Sequence, residues 1–317
     1  MSAFSEANFK GLNYESFRPH YPSSFYELLH KYVTTSKDGA NADHAEKVID
    51  LGCGTGISTY PLLNIANTVI GVDLSQRMVD TANDLIEERC KELQISPSRI
   101  KFITGDAETF IESSNDEIRK DGVDLITCAQ CLHWFGSYPS FFKACHQLLK
   151  SGGTLAYWYY RDPIVVSISD YAKGNDTELI SRINRLYLKY VYEDEAYLGP
   201  YWENPGRDIL YNMYRDINKR IPEDLFTDNI IMTYVPKPGL YPGDEDLKLV
   251  KKDISIVDFV HYIETFSAYH SYKDKTGDTE NILEKFKQEA TRGTEIDVKD
   301  PILTIIWHTG YTFMKKK

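Results

Sequence analysis

Apolar and polar positions along the chain fall into short runs whose period switches back and forth. Phe25, Leu28, Leu29 and Val33 recur at helical spacing just after the rigid Arg18-Pro19-His20-Tyr21-Pro22 segment, which predicts a helix. Beyond a polar stretch at 34–46, Lys47-Val48-Ile49-Asp50-Leu51 is a short apolar run that halts at glycines, the pattern of a buried strand. A helix over Ile57 to Ile65 and a second strand, Thr68 to Asp73, follow. Next come a helix at 75–92, with Met78, Ala82, Leu85 and Ile86 on one face, and a third strand from Ile100 to Thr104. Val123 to Ala129 is a fourth strand, Tyr138 to Leu149 a helix, and Thr154 to Tyr159 a fifth strand introduced by Ser151-Gly152-Gly153. Such an alternation predicts an α/β fold on a mostly parallel sheet.

After residue 160 the pattern loosens. Helices rich in Tyr, Arg and Asp are predicted within 176–220, a strand from Ile230 to Val235, a Pro/Gly loop at 236–243, and helices at 255–271 and 280–291. The β-branched and aromatic segment Ile302 to Phe313 suits a last strand. The expected layout is one compact domain: an N-terminal lid and helix (1–46), a cofactor-binding core (47–160), helical insertions with one sheet strand (161–299) and a final strand (300–317).

Composition narrows the partners. Lys and Arg number 36 against 47 Asp and Glu, a formal charge of 36 − 47 = −11, which repels phosphate backbones and argues against nucleic acid. Residues 1–10 lack a basic flank before a long apolar run, so no secretory signal is expected, and no run is apolar enough for a bilayer. Five scattered cysteines suit reduced thiols, and a cytoplasmic monomer without membrane contact is the expectation. Cys128 and Cys131 fall inside an apolar strand with no second such pair, so no metal site is expected.

The informative stretch is Asp50-Leu51-Gly52-Cys53-Gly54-Thr55-Gly56, a glycine turn directly after a strand that lets backbone approach a ligand closely. A dinucleotide fingerprint would require glycine where Ile57 stands, and Asp50 would set negative charge near a pyrophosphate; the acid suits the ammonium of a methionine moiety instead. Asp73, at the end of the second strand, is placed to accept ribose hydroxyls. Asp106 and Ala107, after the third strand, are placed to meet adenine, with Met78 against its face. Singly, these residues read as a helix cap, a turn residue and core; in this order at successive strand ends they read as a site.

These segments, with the Ser151-Gly152-Gly153 turn, resemble the motifs of class I S-adenosylmethionine-dependent methyltransferases. Tyr14 to Pro22, Leu132-His133-Trp134-Phe135, Leu198 to Arg207 and Phe266 to His270 are similar to fungal trans-aconitate methyltransferases, whereas Lys219 to Asp246 finds no counterpart there. The resemblance implies a Rossmann-like, mostly parallel seven-stranded sheet, its last strand antiparallel, with helical insertions capping the acceptor. It also implies S-adenosyl-L-methionine as cofactor, held by Tyr14, Arg18, Asp50, Gly52, Gly54, Gly56, Asp73, Leu74, Met78, Asp106, Ala107 and Gln130.

The expected acceptor is a small-molecule organic acid such as trans-aconitate, methylated on a carboxylate. Such a group is ionised at neutral pH and needs no general base, only cationic and hydrogen-bonding partners. Arg207 and His133 are the candidate catalytic residues, with Trp134, Trp202, Tyr269 and His270 as substrate-binding walls or donors. Each aromatic also reads as ordinary packing. A phenol, amine or thiol acceptor is the alternative, and a nicotinamide-dependent oxidoreductase a more distant one.

Overall fold

The computed structural model describes residues 17–35, 44–106, 109–110, 121–168, 176–237, 250–294, 297–299 and 302–317. Its strands are β1 (Ala45–Leu51), β2 (Ala66–Asp73), β3 (Ile100–Thr104), β4 (Val123–Ala129), β5 (Leu149–Ile168), β6 (Phe226–Tyr234), β7 (Val250–Ile254) and β8 (Leu303–Lys316). They form one sheet in the order β3-β2-β1-β4-β5-β8-β6, with β7 pairing beside β6 on β8. β1 to β5 run parallel, and β8 is antiparallel to β5, β6 and β7. The mostly parallel sheet with an antiparallel last strand is therefore as expected, and short β7 extends it by one strand.

The helices of more than five residues are α1 (Ser23–Thr34), α2 (Gln76–Asp84), α3 (Ile86–Leu93), α4 (Tyr138–Leu148), α5 (Asp176–Leu188), α6 (Gly206–Tyr211), α7 (Ile256–Glu264), α8 (Ser267–Thr276) and α9 (Ile282–Thr291). Three predicted helices differ, the one at 255–271 being divided into α7 and α8 at Thr265-Phe266. Residues 57–65 give only a 3₁₀ turn, Tyr60–Asn64, because Pro61 has no N–H to donate and Thr59 spends its hydroxyl on Asp50. The helix predicted at 75–92 breaks at Leu85, where the Asn83 side chain turns to the Phe102 carbonyl on β3.

The central strands are buried on both faces and so are apolar at successive positions, whereas the edge strand β6 is largely exposed. On β5, Tyr157 and Tyr159 face a core shared with α4 and residues 210–226, while Ala156 and Trp158 face one shared with α1, α2 and the 60–65 turn. Phe25 of α1 meets Trp158 edge-on at 5.0 Å. β5 runs well past the fifth strand predicted from sequence. Its second half and the start of β8 leave the parallel sheet and receive α5, α7, α8 and α9, whose core includes Val165, Trp307, Phe259 and Phe286.

At the junction of these regions the β5–β8 ladder slips: Tyr160 opposes Thr309 and Pro163 opposes Trp307, so Arg161 and Asp162 together face His308 alone. This is a β-bulge, which sends consecutive side chains where normal alternation would not. The His308 ring donates from Nδ1 to the Asp162 carbonyl at 2.8 Å, occupying an acceptor that the slipped ladder leaves over.

Candidate functional site

The glycine turn closes β1 at the C-terminal edge of the sheet. The Gly52 and Cys53 amides both donate to the Val72 carbonyl of β2, at 2.8 and 3.1 Å, which pins the turn to the neighbouring strand. Gly52, Gly54 and Gly56 all have positive φ. A Cβ on Gly52 would fall 2.5 Å from that of Cys131, whereas one on Gly54 would meet none of the described residues within 4 Å. Gly54 thus presents bare backbone to space that no described residue fills, the cradle a closely held ligand requires.

Two acids frame the turn. Asp50 is fully buried, accepting hydrogen bonds of 2.6 Å from Thr59 and from Thr127, one on each oxygen. Burial, reinforced by nearby Asp73, outweighs these donors and pushes its pKa up to about 6. Asp73, at the end of β2, accepts from the Gly54 amide at 2.8 Å and the Ser75 amide at 2.9 Å, and burial raises its pKa too. Leu74 beside it is 73% exposed, an apolar surface next to the acid and the open glycine. Met78 is buried in the first turn of α2, and Asp106 is exposed after β3. Tyr14 and Ala107 lie outside the described residues.

Gln130, at the end of β4, adopts positive φ and exchanges two hydrogen bonds with the Tyr160 backbone, Nε2 to O at 2.9 Å and N to Oε1 at 2.8 Å. It borders a cavity that also draws on the 132–134 turn, the β5 bulge, α6 and α7. Three guanidiniums, Arg18, Arg161 and Arg207, and one carboxylate, Asp162, line it. Arg18 donates to Tyr160 Oη at 3.3 Å and the Thr265 carbonyl at 2.9 Å, with its guanidinium carbon 5.3 Å over the Phe266 ring and 5.6 Å over Tyr262. Arg207 bonds Asp162 at 3.0 and 3.2 Å through Nη2 and lies 4.3 Å over Tyr192 and 4.5 Å over Trp202.

α6 begins against the 132–134 turn, where a Cβ on Gly206 would strike the Trp134 ring at 2.8 Å, so Arg207 stands beside His133 and Trp134. The His133 ring is buried, with Nδ1 2.7 Å from the Tyr214 hydroxyl. Burial and, next, the Arg207 charge lower its pKa to about 3, so the imidazole is neutral. Trp134 is 40% exposed at the cavity wall, and Trp202 donates its ring N–H to the Val191 carbonyl at 2.7 Å.

The structure brings together Arg18, Gln130, His133, Trp134, Trp202 and Arg207, but Tyr269 and His270 are not among the residues lining this cavity. Tyr269 is buried with the α8 core and spends its hydroxyl on Asp278 at 2.9 Å. Asp162, Tyr192 and Tyr262 were not singled out from the sequence. The signal for the first was a charged pair, Arg161-Asp162, set in an otherwise apolar strand. Among the described residues no group of three or more His, Cys, Asp or Glu is placed to hold a metal ion, and no helix is long and apolar enough to cross a membrane.

Residues 49–157 match a family described as a methyltransferase domain. Over its whole length the chain is 24% identical to CRG1 of Saccharomyces cerevisiae, described as a probable S-adenosylmethionine-dependent methyltransferase, and covers 99% of it. It is also 24% identical to a malonyl-(acyl-carrier protein) O-methyltransferase of Bacteroides thetaiotaomicron, over 86% of this chain and 82% of the relative. A solved structure from Anaeromyxobacter dehalogenans, assigned as a type II methyltransferase, superposes with TM-score 0.59 at 19% identity, covering 93% of this chain and 97% of its own, a likeness of fold. The turn between β1 and the 3₁₀ segment, with Gly54 open and Asp73 beside it, fits an adenosyl ligand bearing ribose hydroxyls and a positive charge. Fold, turn and family match agree: the protein has a class I methyltransferase architecture, and it is a methyltransferase that uses S-adenosyl-L-methionine.

Proposed function

We propose that the protein transfers a methyl group to a carboxylate of a small organic polyacid, giving a methyl ester, as trans-aconitate methyltransferases do. One observation carries this reading: on a chain of formal charge −11, three arginines against one aspartate line the cavity bordered by Gln130, whose chain neighbour Cys131 packs on Gly52 of the glycine turn. Concentrated positive charge in an acidic protein is the feature a polyanionic acceptor needs to overcome the general repulsion.

When bound, S-adenosylmethionine supplies an electrophilic methyl group on a sulfonium. The protein's part is to hold the attacking oxygen in line at roughly 3–3.5 Å and to keep water out. Arg207 suits the first task, because a guanidinium grips a carboxylate by two parallel hydrogen bonds and so sets direction as well as affinity. The rings of Trp202, Tyr192, Tyr262 and Phe266 suit the second. His133, with its pKa near 3, is far too weak a base to take a proton from a phenol or an ammonium, which also favours an acceptor that arrives ionised. The Bacteroides relative is by name an O-methyltransferase acting on a malonyl group, a carboxylate-bearing acceptor.

The test is a screen of labelled methyl transfer from S-adenosylmethionine into di- and tricarboxylic acids, monocarboxylic acids, phenols, amines and thiols. Base-labile label in the polyacids, with the others near background, is the expected outcome. Label confined to phenols, amines or thiols overturns the proposal.

A further inference from the structure

If Arg207 meets the acceptor, as the reading above has it, something must fix the direction in which its donors point. The bulge in β5 turns Arg161 and Asp162 toward the same cavity. The Asp162 carboxylate is buried there, with Oδ1 accepting from Tyr187 at 2.9 Å, from the Tyr192 hydroxyl, and from Arg207 Nη2 at 3.0 Å. Its Oδ2 lies 3.2 Å from the same nitrogen and 3.0 Å from Arg161 Nε. Both oxygens of Asp162 thus converge on a single nitrogen of Arg207. The Nε–H of Arg207 is enclosed and meets no hydrogen-bond partner among the described residues. A buried donor left unmade is unfavourable, a cost that a ligand accepting from it removes.

We infer that Asp162 is a positioning residue for methyl transfer. It anchors Arg207 through Nη2, is itself held by two tyrosine hydroxyls and Arg161, and so presets the remaining guanidinium donors for the acceptor's oxygens. Asp162 does not touch the reacting atoms; it acts through Arg207. This inference rests on the proposed role of Arg207 but not on the acceptor being a polyacid.

The alternative is that Asp162 merely balances charge in the core, and Asp162→Asn separates the two. The amide keeps the size and one acceptor while adding a net positive charge to the cavity. Lost orientation predicts a fall in kcat of about tenfold or more, with acceptor KM unchanged or lower and cofactor Kd unchanged. Nitrogen-15 NMR gives a readout that needs no acceptor. The Arg207 Nε–H signal, assigned by its loss in Arg207→Lys, is expected to be sharp in the wild type and to exchange with solvent about tenfold faster in Asp162→Asn.

Should Asp162→Asn fail to fold, Tyr192→Phe leaves both charges in place and is expected to cost about threefold in kcat at constant KM, again with faster Nε–H exchange. Unchanged kcat and unchanged exchange in the folded variant overturn the inference, as does a loss carried entirely by KM. If the wild type methylates a different acceptor, the polyacid reading fails, while the same kcat and KM split on that acceptor and the NMR signal still decide the role of Asp162.

Discussion

A buried carboxylate with no cation beside it among the described residues is an unusual thing to keep, and Asp50 is one. Its folded pKa of about 6 exceeds the ordinary carboxylate value of about 4, so its favourable contribution is complete below about pH 4 and lost as pH rises through about 6, by roughly 3 kcal/mol. A bound cation reverses that bias. S-adenosylmethionine is therefore expected to bind more tightly as pH rises through about 6, with proton release measurable by calorimetry in buffers of different ionisation enthalpy. Asp50→Asn should abolish that dependence, stabilise the free protein by up to roughly 3 kcal/mol near pH 8, and weaken the cofactor about tenfold. A variant no more stable than the wild type at that pH would show that the site relieves the charge otherwise.

His133 gives the second prediction at this scale. Neutral down to about pH 3, it leaves the chemical step flat across roughly pH 6–9, in the wild type and in His133→Gln alike. A rate that climbs through the ordinary histidine range and flattens in the variant would make it a base. Asp50 and Asp73 were legible in the sequence because each closes a short apolar run beside glycines. Asp162 was not, since its position depends on a register slip against His308, 146 residues away.

At the scale of elements, the glycine turn separates two kinds of requirement that the sequence motif merges. Gly52 needs its missing Cβ for packing: an alanine there meets Cys131 Cβ at 2.5 Å and Sγ at 2.7 Å as well as an unfavourable φ. Gly54 needs it only for φ and for what approaches from outside. Gly52→Ala is thus expected to cost about 3 kcal/mol or more in chemical denaturation, and Gly54→Ala only about 1. Gly54→Ala should nevertheless lose cofactor affinity about tenfold. Equal destabilisation by the two would mean that the turn is not divided this way. Element type was legible wherever period and punctuation agreed, as at α4 and β4. It failed at 57–65, where apolar spacing suggested a helix but Pro61 and the bond from Thr59 to Asp50 selected a tighter turn. The extension of β5 was hidden because Arg161-Asp162-Pro163 reads as an end when it is a bulge.

For the molecule as a whole, the sheet order joins two bodies of core through two long strands. β8 runs through both, with Tyr311, Phe313 and Met314 in the sheet core and Trp307 in the other, where Trp307 is fully buried, meets Tyr262 edge-on at 5.5 Å, and donates its ring N–H to the Tyr262 hydroxyl at 2.9 Å. Tyr262 in turn lines the cavity. Trp307→Phe keeps most of the volume but drops that bond, so a loss of about 1 kcal/mol in stability is expected, together with a raised acceptor KM and unchanged cofactor affinity. Equal losses for both ligands would mean that the two regions respond as one.

The sheet order also has a consequence in time. β5 takes β8 as its antiparallel neighbour, yet 303 − 168 = 135 positions separate the end of one from the start of the other. At a synthesis rate of about 5–20 residues per second, the apolar edge of β5 waits roughly 7–27 s on the ribosome before its partner exists. Chains stalled ahead of Leu303 are therefore expected to be cut readily by protease within β5 and to be held by chaperones that recognise extended apolar segments, and chains released after Lys316 to resist cleavage there.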